Sequence, residues 1–156
     1  MSLNVNSILS SIKQHKLQIF LHVNKPDILL LCETNLNNAA KVSFKNYLLI
    51  SDDRLGSAGG GTAILYKNNL KVTPMKIRNI YNSDTIECTT AQLSLNYNKK
   101  IIIISLYIKP QNSNYRFAND LSLLIDKLKP LHTNTFFIIA GDFNSRHSSW
   151  DINAIN

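Results

Sequence analysis

A chain of 156 residues with 44% hydrophobic and 17% charged positions has the size and balance of one globular domain that can bury a substantial core. Its charge of +7, from 17 basic against 10 acidic residues, favours a polyanionic partner such as nucleic acid or an anionic surface, although a bias toward Asn, Lys and Ile accounts for part of it. No apolar stretch reaches transmembrane length, the first twenty residues lack a signal-peptide core, and two cysteines without C-x-x-C spacing read as reduced thiols, which excludes the membrane-embedded and disulfide-stapled classes.

From the N-terminus, Ser7 to Val23 carries Ile8, Leu9, Ile12, Leu17, Phe20 and Leu21 at helical spacing, with Ser7 or Asn6 as the cap. Pro26 interrupts it before Ile28-Leu29-Leu30-Leu31-Cys32, an apolar run that reads as a strand buried on both faces. Tyr47 to Ser51 is a short strand, followed by the polar turn Asp52-Asp53-Arg54-Leu55-Gly56. Gly59-Gly60-Gly61 leads into the strand Thr62 to Tyr66 as a backbone device; it lacks the spacing of a nucleotide-binding loop. Asn68-Asn69 then reads as a hairpin turn into Leu70 to Pro74. Thr85 to Asn96 alternates as a strand and turns through Asn98-Lys99-Lys100 into Ile101 to Ile108. Tyr115 to Leu131 is a second amphipathic helix with Leu121, Leu124, Ile125 and Leu128 inward. The run Phe136 to Gly141 is a last doubly buried strand ending in Asp142-Phe143-Asn144. This order predicts an α/β fold, an antiparallel-rich sheet arrangement with helices packed on it.

Two of the apolar runs end in acids, Glu33 and Asp142, where a buried strand meets solvent. In open α/β sheets that edge collects ligands, and two carboxylates there can share a metal ion or a phosphate. The bland readings stand beside this one. Glu33 fits a solvated acid past a strand, Asp142 with Asn144 fits a turn cap, and Tyr107 fits a core-edge aromatic.

The segments Asn4-Val5-Asn6-Ser7-Ile8, Pro26 to Thr34, Gly59 to Ile64, Ser105-Leu106-Tyr107 and Gly141-Asp142-Phe143-Asn144 resemble, in order and spacing, the endonuclease/exonuclease/phosphatase superfamily. Within it the sequence is similar to the apurinic-type endonuclease domains of non-long-terminal-repeat, LINE-like retrotransposons of insect type, of which Arg146-His147-Ser148-Ser149-Trp150 is typical. The resemblance spans residues 4–156 and implies a partial domain over 1–156. It implies a sandwich of mainly antiparallel sheets with helices outside, and a DNA endonuclease that hydrolyses phosphodiester bonds with Mg2+ or Mn2+. By the same resemblance Glu33 is the main metal ligand, Asn4 assists at metal and phosphate, Tyr107 contacts phosphate, and Asp142 with Asn144 orients the attacking water. Arg54, Arg116, Arg146 and His147 are expected at the substrate; Lys67 and Lys71, with Arg54, Arg116 and Arg146, are the basic residues through which a non-catalytic relic would bind DNA. The partners implied are DNA and, in a longer polyprotein, a reverse transcriptase, with no membrane and no small-molecule cofactor. A nuclear or cytoplasmic rather than secreted location follows.

Superfamily members continue past the Gly-Asp-Phe-Asn motif with further strands and a Ser-Asp-His motif that supplies a histidine base. This sequence holds no Ser-Asp-His. The expectation is therefore a truncated, impaired nuclease; the alternative is an inactive element-derived relic that at most binds DNA, and a phosphomonoesterase of another branch ranks third.

Overall fold

A computed structural model describes residues 1–37, 41–52, 60–76, 83, 85–110, 114–128 and 134–144, with the backbone alone for 114–118. Among these described residues eight strands and two helices follow in the order β1 (Ser2–Asn4), α1 (Ser11–Asn24), β2 (Ile28–Cys32), β3 (Tyr47–Asp52), β4 (Thr62–Lys67), β5 (Val72–Met75), β6 (Ile86–Ser94), β7 (Lys100–Ile108), α2 (Asn114–Leu128) and β8 (Thr135–Asp142). They form two four-stranded sheets, ordered β1-β2-β4-β3 and β5-β6-β7-β8. Each sheet is mixed. One edge is a parallel pair, β1 with β2 and β7 with β8, and the remaining pairs are antiparallel. Parallel neighbours need a long crossover, and α1 and α2 are those crossovers. The result is the α/β sandwich that the resemblance implies.

The side-chain period of two sorts each strand between layers. Leu29, Leu31, Ala63 and Leu65 face α1, where Leu17 and Leu21 cover them. Ile102, Ile104, Leu106 and Ile108 face α2 and meet Leu124 and Leu128. Between the sheets Leu30, Ile64, Ala91 and Ile103 make a small third cluster. The runs Ile28–Cys32 and Ile101–Ile108 are apolar at nearly every position because both of their faces are covered.

Several sequence expectations change. The first helix starts at Ser11, not Ser7, with Ser10 as its cap accepting from the Lys13 N–H. Asn6 and Ser7 have φ of 41° and 78° and cannot belong to a right-handed helix. Ile8 is buried, but ahead of the helix, and Ile12 and Leu9 face solvent. Ser10→Ala is accordingly expected to cost about 1 kcal/mol in urea unfolding, the usual loss for a removed N-cap.

The Asn68-Asn69 turn does not close a hairpin. β4 already has β2 and β3 on its two sides, so β5 crosses to the other sheet and pairs with β6. The predicted hairpin of the second sheet does form: β6 and β7 pair from Ile86 with Ile108 to Ser94 with Lys100. Nor is β8 buried on both faces. It is the edge of its sheet, with Phe137 and Ile139 packed toward α2 and Phe136 and Ile138 58% and 48% exposed. Ile125 of α2 likewise faces outward. No helix among the described residues is long and apolar enough to cross a membrane.

Candidate active site

The carboxyl ends of β1, β2, β7 and β8 meet at one rim of the sandwich, the edge where α/β sheets gather ligands. Asn4 is the last residue of β1, Glu33 follows β2, and Asp142 ends β8. The Asn4 side-chain amide donates one hydrogen bond to Glu33 Oε1 and one to Asp142 Oδ2, both at 2.9 Å. One amide thus joins a carboxylate from the first sheet to one from the second, the second of them 138 residues along the chain from Asn4. The Asn4 side-chain oxygen Oδ1 is turned the other way and accepts the Asn6 N–H at 3.1 Å.

Glu33 is held by its backbone. Its φ of 55° is left-handed, as is that of Asn35, an uncommon conformation for a side chain with a Cβ. Hydrogen bonds clamp the segment from both sides. Val5, Ser7 and Ile8 donate to the carbonyls of Cys32, Glu33 and Thr34, and Thr34 and Asn35 donate to Gly61 and Gly60. Gly61 fits here at φ of 81°, because a Cβ would lie 2.9 Å from the Thr34 hydroxyl oxygen. That hydroxyl and the Asn35 side-chain oxygen are buried without a hydrogen-bond partner.

Asp142 is held differently. Its Oδ1 accepts the Asn144 N–H at 3.0 Å, a turn closed by an acidic side chain, while Oδ2 remains on Asn4. The Asn144 amide donates to the Ile108 carbonyl at 2.6 Å, which ties the turn to the end of β7. Tyr107 is register partner to Asp142 and is buried on the side facing the other sheet. The structure therefore brings Asn4, Glu33 and Asp142 into direct contact and sets Asn144 and Tyr107 beside them. Arg54, Arg146, His147 and Trp150 lie outside the described residues, as does the side chain of Arg116 in the first turn of α2. Lys67 sits at the far end of β4 from the rim, paired with Asp27 at 2.7 Å.

A row of polar links fixes one sheet against the other near the rim. Ser105 donates to the Leu31 carbonyl, the Cys32 thiol to the Leu106 carbonyl, and the Thr62 and Thr89 hydroxyls meet at 2.8 Å. Glu87, missed by the sequence reading, belongs to this row. It is buried, its Oε2 accepts the Gly61 N–H at 2.7 Å, and Lys109 lies 3.6 Å from its other oxygen. Its signal was available: in the alternating strand β6 it shares parity with Thr89 and Ala91, the side facing the other sheet. Cys32 is a neutral thiol at this rim. Burial pushes its pKa up and the charges of Asp142 and Glu33 add to this, against opposing hydrogen bonds from the Asp142 backbone and the Ser105 hydroxyl. A thiol so placed is a poor nucleophile.

Among the described residues no group of three or more His, Cys, Asp or Glu side chains gathers as a metal cage. The oxygen ligands that do converge are the two carboxylates of Glu33 and Asp142, each one hydrogen bond from the Asn4 amide nitrogen. That set suits magnesium or manganese, hard cations that take oxygen ligands, and magnesium in particular accepts one or two carboxylates and keeps several waters. It does not suit zinc, which prefers nitrogen and sulfur.

A family profile described as "Endonuclease/Exonuclease/phosphatase family" matches residues 1–156. No curated protein matches the chain. Among solved structures, D. rerio TDP2 complexed with single strand DNA product superposes with a TM-score of 0.66 at 20% identity, covering 94% of this chain and 60% of that one. The Xenopus laevis APE2 catalytic domain gives 0.64 at 17% identity, covering 94% and 58%. A mannosyl-6-phosphatase from Bacteroides thetaiotaomicron gives 0.64 at 17%, covering 98% and 68%. At such identities the likeness is one of fold. The chain spans about three-fifths of the length of the TDP2 and APE2 structures.

Proposed function

Since the chain belongs to the endonuclease/exonuclease/phosphatase family, we propose that its rim hydrolyses phosphodiester bonds of DNA with a divalent metal, as a retrotransposon-type endonuclease domain over residues 1–156. The observation that carries this reading is the Asn4 amide shared between Glu33 and Asp142. Two carboxylates pressed together from different sheets concentrate negative charge, and one neutral amide only partly offsets it. A cation and a phosphate complete such an arrangement.

Glu33 would hold the metal, with Asn4 beside it assisting at the metal and phosphate through its side-chain amide; such a metal would neutralise charge on the phosphate and leaving oxygen. Asp142 would orient the attacking water and take its proton at a carboxylate oxygen. The Asn144 N–H on Oδ1 fixes the rotation of that carboxylate, leaving Oδ2 toward the rim. The water oxygen attacks phosphorus, the bond from phosphorus to the sugar oxygen breaks, and the departing oxygen takes up a proton. Tyr107, beside Asp142, would donate its phenol to a phosphate oxygen without adding charge that repels DNA. The 156 residues hold no Ser-Asp-His motif, so the rate from these groups alone is expected to be slow, by ~10²–10⁴-fold relative to a site that also has the histidine of that motif.

The testing experiment is conversion of supercoiled plasmid to nicked circle. Nicking is expected with magnesium or manganese and absent with EDTA. Release of phosphate from sugar or inositol phosphates, with no action on plasmid, would replace this reading with a phosphomonoesterase.

A further inference from the structure

Acids gather at one pole of this sandwich and a set of exposed lysines at the other, with Lys109 and Lys13 the lysines that, among the described residues, reach the acidic end. The rim that carries Asn4 holds Glu33, Asp52, Glu87 and Asp142 at the ends of β2, β3, β6 and β8. The opposite pole, where β3 and β7 start and β4 and β6 finish, holds lysines. Lys25 caps α1, and Lys45 precedes β3. Tyr47 is register partner to Lys67, and Ser94 to Lys100. Lys71 accepts the Ser94 N–H at its carbonyl, so the turn from Lys67 to Lys71 carries the basic surface from one sheet to the other. Lys99 lies in the β6–β7 turn that follows. Of the acids toward this pole, Asp27 is already engaged by Lys67 at 2.7 Å, and Asp126 stands in the last turn of α2 next to Lys127.

The pole also has shape. A cleft of about 520 Å³ opens between the end of α1 and the start of β3, lined by Lys25, Lys45, Lys67, His22 and Asn68 and by no acid. At the far end of the basic surface, Tyr97 stands 93% exposed at the tip of the β6–β7 turn, in a left-handed conformation (φ 60°) two residues before Lys99. A basic groove that follows a phosphate chain, with an aromatic ring free to stack on a base, is the physical recipe for holding single strands. A duplex, whose bases are already stacked, gains nothing from such a ring.

We propose that this basic pole binds the phosphate backbone of single-stranded nucleic acid, at a surface separate from the acidic rim. The binding needs no metal, because its charges are the protein's own. It therefore stands or falls independently of the nuclease reading.

The test is fluorescence anisotropy of labelled oligothymidylate in EDTA, with oligouridylate as a second arm to tell DNA from RNA. The triple variant K45E/K71E/K100E changes three exposed lysines outside the Lys67–Asp27 pair. It is expected to raise Kd at least about tenfold near 0.1 M salt and to flatten the log–log salt slope by roughly 2, at ~0.7 per lost phosphate contact. A control, K16E/K41E/K76E, makes the same change in net charge at exposed lysines outside those named for this pole and is expected to bind several-fold better than the first triple. Tyr97→Ala is expected to weaken single-strand binding about fivefold or more and to leave duplex binding unchanged. Far-UV melting checks each fold, and K45Q/K71Q/K100Q replaces the reversal if it unfolds. Equal losses in both triples would overturn the proposal, as would wild-type affinity in K45E/K71E/K100E or a duplex bound as tightly as a single strand. Phosphatidylserine vesicles bound through the same lysines, while oligonucleotide fails to compete, would assign the pole to a membrane surface instead.

Discussion

Glu33→Gln and Asp142→Asn are each expected to lower metal-dependent plasmid nicking by at least about 100-fold, the scale of removing one preorganised charge-stabilising group from a reacting centre. The amide variants are chosen over alanine for a physical reason. Gln at position 33 keeps an oxygen that can accept from the Asn4 amide now bonded to Glu33 Oε1, so the local geometry survives while the charge is lost. Folding stability should hold or rise, since the two carboxylates gathered on one amide repel each other and each variant removes one of them. A drop in nicking with an unchanged Tm would therefore belong to the chemistry. Asn4→Ala is the complementary case. It removes the donor between the carboxylates, leaving them unshielded, and is expected to lower both nicking and stability. If Glu33→Gln and Asp142→Asn both nick like the wild type, catalysis does not reside at this rim.

Much of the layer structure was legible because burial writes itself into sequence as period and run length. Ile28–Cys32 reads as covered on both faces and is an interior strand, and Ile101–Ile108, read as the strand after the Asn98-Lys99-Lys100 turn, is interior as well. The same reasoning misjudged Phe136–Gly141. An apolar run does not say whether its strand lies inside a sheet or at its edge, and β8 has β7 alone as a neighbour. The Asn68-Asn69 turn failed for a related reason: turn chemistry reports a reversal of the chain, not the sheet in which the next strand finds its partner. At the rim, strand ends marked Glu33 and Asp142, and the family resemblance marked Asn4, Tyr107 and Asn144. The shared amide was not legible. It requires two sheets to be co-registered, which depends on links such as Ser105 to Leu31 and Glu87 to Gly61 between segments far apart in sequence.

That dependence on register makes Gly141→Ala the largest expected effect on stability. Gly141 pairs with Leu106 of β7 and has φ of 155°, a conformation that residues with a Cβ rarely adopt. A Cβ there would lie 1.8 Å from the Leu106 carbonyl oxygen, 2.7 Å from its carbonyl carbon and 2.8 Å from its nitrogen. These are backbone atoms of a strand paired on its other side with β6, so they cannot swing aside as a flexible side chain would. The strand that must yield is β8. Overpacking and backbone strain together should cost about 3 kcal/mol or more, which for a domain of this size lowers Tm by about 6–12 °C. The displacement begins one residue before Asp142, so whatever folds should also lose the Asn4 contact and with it nicking. Ala140→Ser, one residue earlier at a partly buried position, is expected to cost far less. A Gly141→Ala protein that melts and nicks like the wild type would mean that β8 does not lie against β7 in this register.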